Sequence, residues 1–193
     1  VATVRVLKVG YSRSEGPGRQ RADCTITLVR SDVNLLVDTG NPEDGPEIQR
    51  LLKDEGLTPG DISVVICTHG HSDHVGNNGL FPQAKFIFFH DISQGDLFIG
   101  HRFDKEAYSL GEEVQVFATP GHTAEDISVL VRTENGIVAI VGDLFDSEED
   151  LTGAVMREAP GCQPAQQAAS RRLILEKADY IIPGHGGIFR APR

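Results

Sequence analysis

The sequence predicts an α/β fold in which two packed β-sheets carry helices on their outer faces, in the order αββα. Three observations predict it. Short apolar, β-branched runs come in an early and a late series along the 193 residues. Each series is followed by one helical stretch, which suits two sheets with helices outside. Glycine is abundant, at 21 residues, which fits many tight turns between short elements better than a few long helices. The length is that of one domain over residues 1–193 with a sizeable core.

Taken in order, TVRVLKVG (3–10) and CTITLVR (24–30) read as strands. YSRSEGPGRQRAD (11–23), between them, reads as a Gly/Pro/Arg hairpin loop. NLLVDTG (34–40) is a short buried strand ending at Asp38. PEDGPEIQRLLKDEG (42–56) is a helix with Ile48, Leu51 and Leu52 on one face and Gly56 at its end. DISVVICTH (61–69) is a buried strand that delivers His69, and KFIFFHD (85–91) is another strand. EVQVFATPGH (113–122), DISVLVRT (126–133) and GIVAIVGD (136–143) are three more, each closed by a turn signal. QPAQQAASRRLILEKAD (163–179) is a helix on which Arg171 and Arg172 read as a solvated face. YIIPGHG (180–186) is a last strand and loop.

The formal net charge of -10 weighs against a broad nucleic-acid platform or membrane surface and leaves room for a local basic patch. No apolar run reaches the roughly 18 residues of a membrane span, so no membrane partner is expected. Cys24, Cys67 and Cys162 are odd in number and form no CxxC. They read as buried apolar residues of a protein in a reducing compartment, the cytoplasm and by extension the nucleus.

CTHGHSDHVGNNGLF (67–81) places His69, His71, Asp73 and His74 within six residues. Residues 69, 71 and 73 could share one face of an extended segment, with His74 turned the other way. One such loop cannot wrap a single tetrahedral ion with all four groups, but it can feed two ions lying side by side. Borderline and hard divalent ions accept imidazole and carboxylate together. His122 in TPGHT, Asp143 in VGDLF and His185 in PGHGG each follow an apolar strand at a glycine-rich turn, and they are the candidates to complete the shell. His90 in FFHD reads as structural, and His101 in GHRFD as a solvated loop residue.

THGHSDH, TPGHT, GDLF and PGHG, in that order and with DTG at 38–40, resemble the five motifs of the metallo-β-lactamase superfamily. The resemblance implies a four-layer αββα sandwich of two mixed sheets flanked by helices, with a two-metal site at one edge. It places His69, His71 and His122 on one ion, Asp73, His74 and His185 on the other, and Asp143 between them. It gives Asp38 the task of supporting the histidine loop from behind. Two divalent ions are implied, zinc first, with iron and manganese as the alternatives. GHSDHVGNNGLFP, FFHD, ATPGH and ADYIIPGHGGIFR are similar to a group whose ligands are those of glyoxalase II. An animal member of that group hydrolyses the phosphodiester at the 3′ end of histone pre-mRNA. The superfamily's true β-lactamases commonly carry Arg at the position of His74. Glyoxalase II carries a further helical domain for which little chain remains after Gly186, and β-CASP nucleases an insertion for which Asp143 and His185 lie too close. Persulfide dioxygenases use one iron on positions matching His69, His122 and Asp143.

Two ions about 3.5–4 Å apart can share a water and lower its pKa toward ~7. Asp73, both ligand and hydrogen-bond acceptor, would then aim the shared hydroxide. Such a centre cleaves phosphodiesters and thioesters alike, so the loops decide. Arg13, Arg19 and Arg21 cluster between the first two strands. They are either a rim for an anionic substrate or exposed charge on a hairpin. The expected function is therefore a dinuclear metal hydrolase, an endoribonuclease by resemblance and a candidate for mRNA processing. The alternatives are a glyoxalase II-like thioesterase and a mononuclear iron dioxygenase. The expected partners are RNA or a small anionic thioester, and a second copy in a homodimer.

Overall fold

The computed structural model describes residues 1–152 and 161–192. Its elements are β1 (Thr3–Lys8), β2 (Tyr11–Ser14), β3 (Gln20–Asp23), β4 (Ile26–Arg30), β5 (Asn34–Val37), α1 (Gly45–Asp54), β6 (Val64–Ile66), α2 (Ser72–Val75), β7 (Lys85–Phe88), β8 (Asp91–Gln94) and β9 (Leu97–Ile99). There follow β10 (Tyr108–Leu110), β11 (Val114–Ala118), β12 (Ile127–Thr133), β13 (Gly136–Gly142), α3 (Pro164–Lys177), β14 (Tyr180–Pro183) and β15 (Phe189–Arg190). Among the described residues, one sheet runs β1-β4-β5-β6-β7-β8-β9 and the second β10-β11-β12-β13-β14-β15. Both are mixed: β5, β6 and β7 are parallel neighbours, as are β13 and β14, and the other pairs are antiparallel.

The two-residue period of a strand sorts the apolar side chains into three seams, which makes the architecture four-layered. Leu35, Val37, Val64 and Ile66 point inward and meet Val129, Val131, Val138, Ile140 and Ile182 of the other sheet. Leu36, Val65 and Cys67 point outward onto Ile48 and Leu52 of α1. Leu130, Ala139, Val141 and Ile181 point outward the other way, onto Ile174 of α3. Parallel strands covered on both faces read as continuous apolar runs, as VVIC and VAIV do.

α1 is preceded by a 3-10 turn over Pro42–Asp44, so the regular helix starts later than the sequence suggests. Leu51 is only half-buried beside the fully buried Ile48 and Leu52. Gly56 ends the helix with φ 75°. The amide of Leu57 donates to Leu52 O and that of Gly56 to Lys53 O, a Schellman termination. Three sequence expectations are corrected. KFIFFHD is not one strand: β7 stops at Phe88, and Phe89 and His90 form a two-residue turn into β8, with Phe88 opposite Asp91. The turn carries neither Asn nor Gly, so its signal was hidden inside an aromatic run. His101 is not a free loop residue, for its ring packs edge-on against Phe103 and Tyr108. Arg171 is not solvated, since its Nε donates to Leu144 O at 2.6 Å and its guanidinium lies over the Phe145 ring. No helix among the described residues is long and apolar enough to cross a membrane.

Candidate metal centre

The site forms where strand ends from both sheets meet. Asp38 directly follows β5 and takes the left-handed conformation, φ 63°. A non-glycine residue rarely does so without a local reason. Here the turn aims the Asp38 carboxylate back at the loop after β6. It accepts from Thr68 N at 2.7 Å and Thr68 Oγ1 at 2.9 Å, and His74 Nδ1 lies 2.8 Å away. A carboxylate on Nδ1 places the proton there and leaves Nε2 facing the site. The chain stays extended only as far as His71, φ -68° and ψ 147°, and then enters the helical turn α2. The expected alternation of 69, 71 and 73 therefore breaks. Asp73 and His74 are delivered together by the helical turn rather than from opposite faces of a strand.

The second sheet supplies the rest. The loop before β12 carries His122 and is braced by Asp126, whose carboxylate accepts from Thr123 N at 2.7 Å and Thr123 Oγ1 at 2.6 Å. Burial pushes the Asp126 carboxyl up to about 7 against the pull of those bonds. Asp143 follows β13 and His185 follows β14. A β-carbon at Gly142 would overlap the Thr68 side chain, so this glycine lets the sheets close at this edge, and one at Gly184 would overlap the Asp143 carboxylate, so that glycine lets the ends of β13 and β14 meet. His185 Nδ1 donates to Asp23 O at 2.9 Å, which again turns Nε2 inward. Two backbone bonds clasp the sheets beside the site: Ile127 N to Thr68 O, and Thr25 N to Gly184 O.

Two ligand groups result. The donor atoms of His69, His71, His122 and Asp143 lie within 4.8 Å of one another, as do those of Asp73, His74 and His185. His71 Nδ1 is 3.0 Å from His69 Nε2 and 3.1 Å from His122 Nε2. Asp143 reaches both groups. Its Oδ2 is 3.4 Å from His122 Nε2 and 3.2 Å from His185 Nε2, and its Oδ1 is 3.2 Å from His74 Nε2. Asp73 Oδ2 is 3.7 Å from His185 Nε2. Ligands at ~2.0–2.1 Å around a tetrahedral zinc are separated by roughly 3.3 Å, so these spacings fit an ion. The donors fit as well. Asp73 Oδ2, His74 Nε2 and Asp143 Oδ1 are buried without a hydrogen-bond partner, an arrangement that is costly unless a cation takes their lone pairs.

The electrostatics favour positive charge at this point. Burial, the largest influence on His74, lowers its pKa, yet Asp143 and Asp38 together hold it well above the ordinary imidazole value. Burial likewise opposes His185, and the Asp143 carboxylate pushes it up to about 9. Burial would raise Asp143, but His74 and His69 outweigh it and hold the carboxyl well below its usual range. In the other group burial dominates: His69 is held well below the ordinary value and His122 is lowered. Neutral imidazoles are the form that binds metals.

Fold and site together define a metal-binding hydrolase class. The chain belongs to the metallo-β-lactamase superfamily, and the profile described as Metallo-beta-lactamase superfamily matches residues 20–87. Within it the chain is 42% identical over 192 residues to metallo-β-lactamase domain-containing protein 1 of Xenopus laevis, covering 97% of this chain and 81% of that protein. It is 36% identical to the Homo sapiens protein of the same name, covering 99% and 83%. A crystal structure of a metallo-β-lactamase-type protein from Thermotoga maritima superposes with TM-score 0.72 at 20% identity, covering 98% of this chain and 99% of that one.

Thus the seven residues marked as ligands in the sequence are gathered at one edge, with Asp38 behind them. The arginines sit on the β2–β3 hairpin. Arg13 and Arg21 face each other across the β2–β3 hairpin, and both pair with Glu15 at 3.2 Å. Arg19 is exposed at the hairpin's end. Sequence reasoning missed several supports. Thr68 bonds Asp38, and Asn77 Nδ2 donates to Thr39 O at 2.7 Å and Asn41 O at 2.6 Å, tying the histidine loop to the DTG turn. Asp126 braces His122, and Arg171 pins the turn after Asp143. Thr68 alone carried a signal, as the residue between strand and first histidine.

Proposed function

We propose that the protein is a dinuclear metal-dependent hydrolase acting on a phosphodiester of single-stranded RNA. The observation that carries the dinuclear reading is the shared Asp143, whose carboxylate lies 3.4 Å from His122 in one ligand group and 3.2 Å from both His74 and His185 in the other. His69, His71 and His122 would hold one ion, Asp73, His74 and His185 the other, with Asp143 between. Zinc suits this imidazole-rich set, and iron and manganese share it. Divalent ions bound by these residues would supply Lewis acidity, acidifying water and stabilising charge on the oxygens of the scissile group. Asp73 would hold its ion through the buried Oδ2 and leave its other carboxylate oxygen to accept the proton of the attacking water and aim its lone pair. Asp38 fixes the ring of His74, and Asp23 O that of His185, so neither ligand must be ordered during the reaction.

Support for an anionic substrate comes from the hairpin of Arg13, Arg19 and Arg21. Its base is bonded to the site through Asp23 and His185. A second reading, a small anionic thioester, is favoured by the net charge of -10 and by the sharing of Glu15 between Arg13 and Arg21, which halves the free positive charge of that pair. The second ligand group speaks against one-iron dioxygenase chemistry. Free thiols at Cys24, Cys67 and Cys162 agree with a cytoplasmic or nuclear site of action. The deciding experiment measures metal stoichiometry and turnover on single-stranded RNA and on an acyl-glutathione thioester. Two ions per chain with RNA cleavage are expected. Cleavage of the thioester alone replaces the substrate, and one iron with persulfide oxidation replaces the reaction.

A further inference from the structure

Phe89 and His90 both have positive φ, 52° and 61°. Two-residue turns of this kind are ordinarily built from Asn and Gly, because a bulky side chain is strained in that conformation. His90 is accommodated by stacking on Phe103, with ring centroids 5.6 Å apart. Phe89 gains much less, for it stays 45% exposed. An exposed phenylalanine in a strained turn does little for folding, and such strain concentrates where a site is shaped. The place of the ring supplies the reason. It lies on Gly70, where a β-carbon would overlap it, and against Phe88 at 4.1 Å between centroids. Gly70 stands between His69 and His71, and His71 is the exposed member of the ligand groups. A half-exposed aromatic ring therefore borders the first ligand group, while the arginine hairpin joins the second group through Asp23 and His185.

We propose that Phe89 is a substrate-binding residue on which a nucleobase stacks, next to the phosphate presented to the metal centre. The proposal rests on the RNA reading above and adds a second contact to it. The phosphates run toward the arginine hairpin and the flat base turns onto Phe89. Stacking of this kind tolerates any base, so it selects single strands rather than a sequence.

The test uses the full chain loaded with zinc and two fluorescent, cleavage-resistant phosphorothioate oligomers of equal charge, one single-stranded RNA and one abasic. Phe89→Asn places in the turn a residue that accepts positive φ, so the melting temperature should rise by about 2–4 °C. The same variant should bind the base-bearing oligomer about tenfold more weakly in fluorescence anisotropy and leave the abasic one unchanged. Phe89→Trp should keep the affinity, and metal content should stay constant in both variants. The proposal is overturned if Phe89→Asn lowers stability, if both oligomers lose affinity equally, or if neither does. A native protein that binds neither oligomer yet hydrolyses the thioester defeats the RNA reading, and the stacking role with it. Native RNA cleavage with no effect at Phe89 defeats the stacking role alone.

Discussion

The two ligand groups are held in different ways. His74 is wholly buried and backed by the Asp38 carboxylate, and His185 is backed by a backbone carbonyl from the hairpin's base. In the other group His71 is exposed and His122 retains 14% side-chain exposure. The second group is thus the buried half of the centre, and the first is the exposed half chiefly through His71, since His69 is nearly as buried as His74 and Asp73 matches His122 at 13% against 14% side-chain exposure. The buried half should retain its ion, and the exposed half should meet the substrate and lose its ion first.

The largest effect is expected at Asp73, which belongs to the buried half and is the proposed proton acceptor. Asp73→Asn keeps the size and removes the proton acceptor, so hydrolysis should fall roughly 10²–10⁴-fold. Unchanged turnover at full metal content would take Asp73 out of the mechanism. Next comes Asp38. Asn tolerates its positive φ, so Asp38→Asn should leave the fold in place while weakening metal affinity about 10–100-fold. The loss should fall on the ion held by His74, as read by competitive chelation. Equal weakening of both ions would break the comparison between the halves. Titration with a chelator should remove two ions in two separable steps, and complete removal should lower the melting temperature. An ion at a hundredfold excess over its dissociation constant contributes about 2.7 kcal/mol, or roughly 5–11 °C for a chain of this size. A single concerted loss would show the halves to be equally held. The smallest effect on stability belongs to the arginines. Replacing Arg13, Arg19 and Arg21 by Ala should leave the melting temperature within about 2 °C, because exposed ion pairs contribute little. The same variant should raise KM for an anionic substrate, less so at high salt, and spare a neutral ester.

The residues gathered at this edge were legible in the sequence because each stands in an unusual context: histidines packed into one loop, or a His or Asp after an apolar strand at a glycine turn. The strands of the buried parallel regions were legible for a similar reason, since VVIC and VAIV are covered on both faces and show it. What stayed hidden depends on geometry that local sequence does not specify. The alternation from His69 to His71 could not announce the helical turn at Ser72. The turn at Phe89 and His90 broke the rule that positive φ goes with Asn or Gly. Arg171 looked like half of a charged pair on a helix surface, and only the arrival of Leu144, Asp150 and Phe145 from elsewhere in the chain makes it a pin.

Among the described residues, the β2–β3 hairpin pairs with neither large sheet. Its base is fixed, since Tyr11 stands opposite Asp23, and Asp23 holds Lys8 by its carboxylate at 2.7 Å as well as His185 by its carbonyl. Ala22 O also accepts from Asn41 Nδ2 at 3.1 Å, so the removable module is the tip, residues 13–21. An ancestor could have exchanged this stretch for another of different length or charge without disturbing a metal ligand, and an engineer can do the same. Grafting foreign hairpin tips in place of residues 13–21 is accordingly a route to new substrates on an unchanged reaction centre.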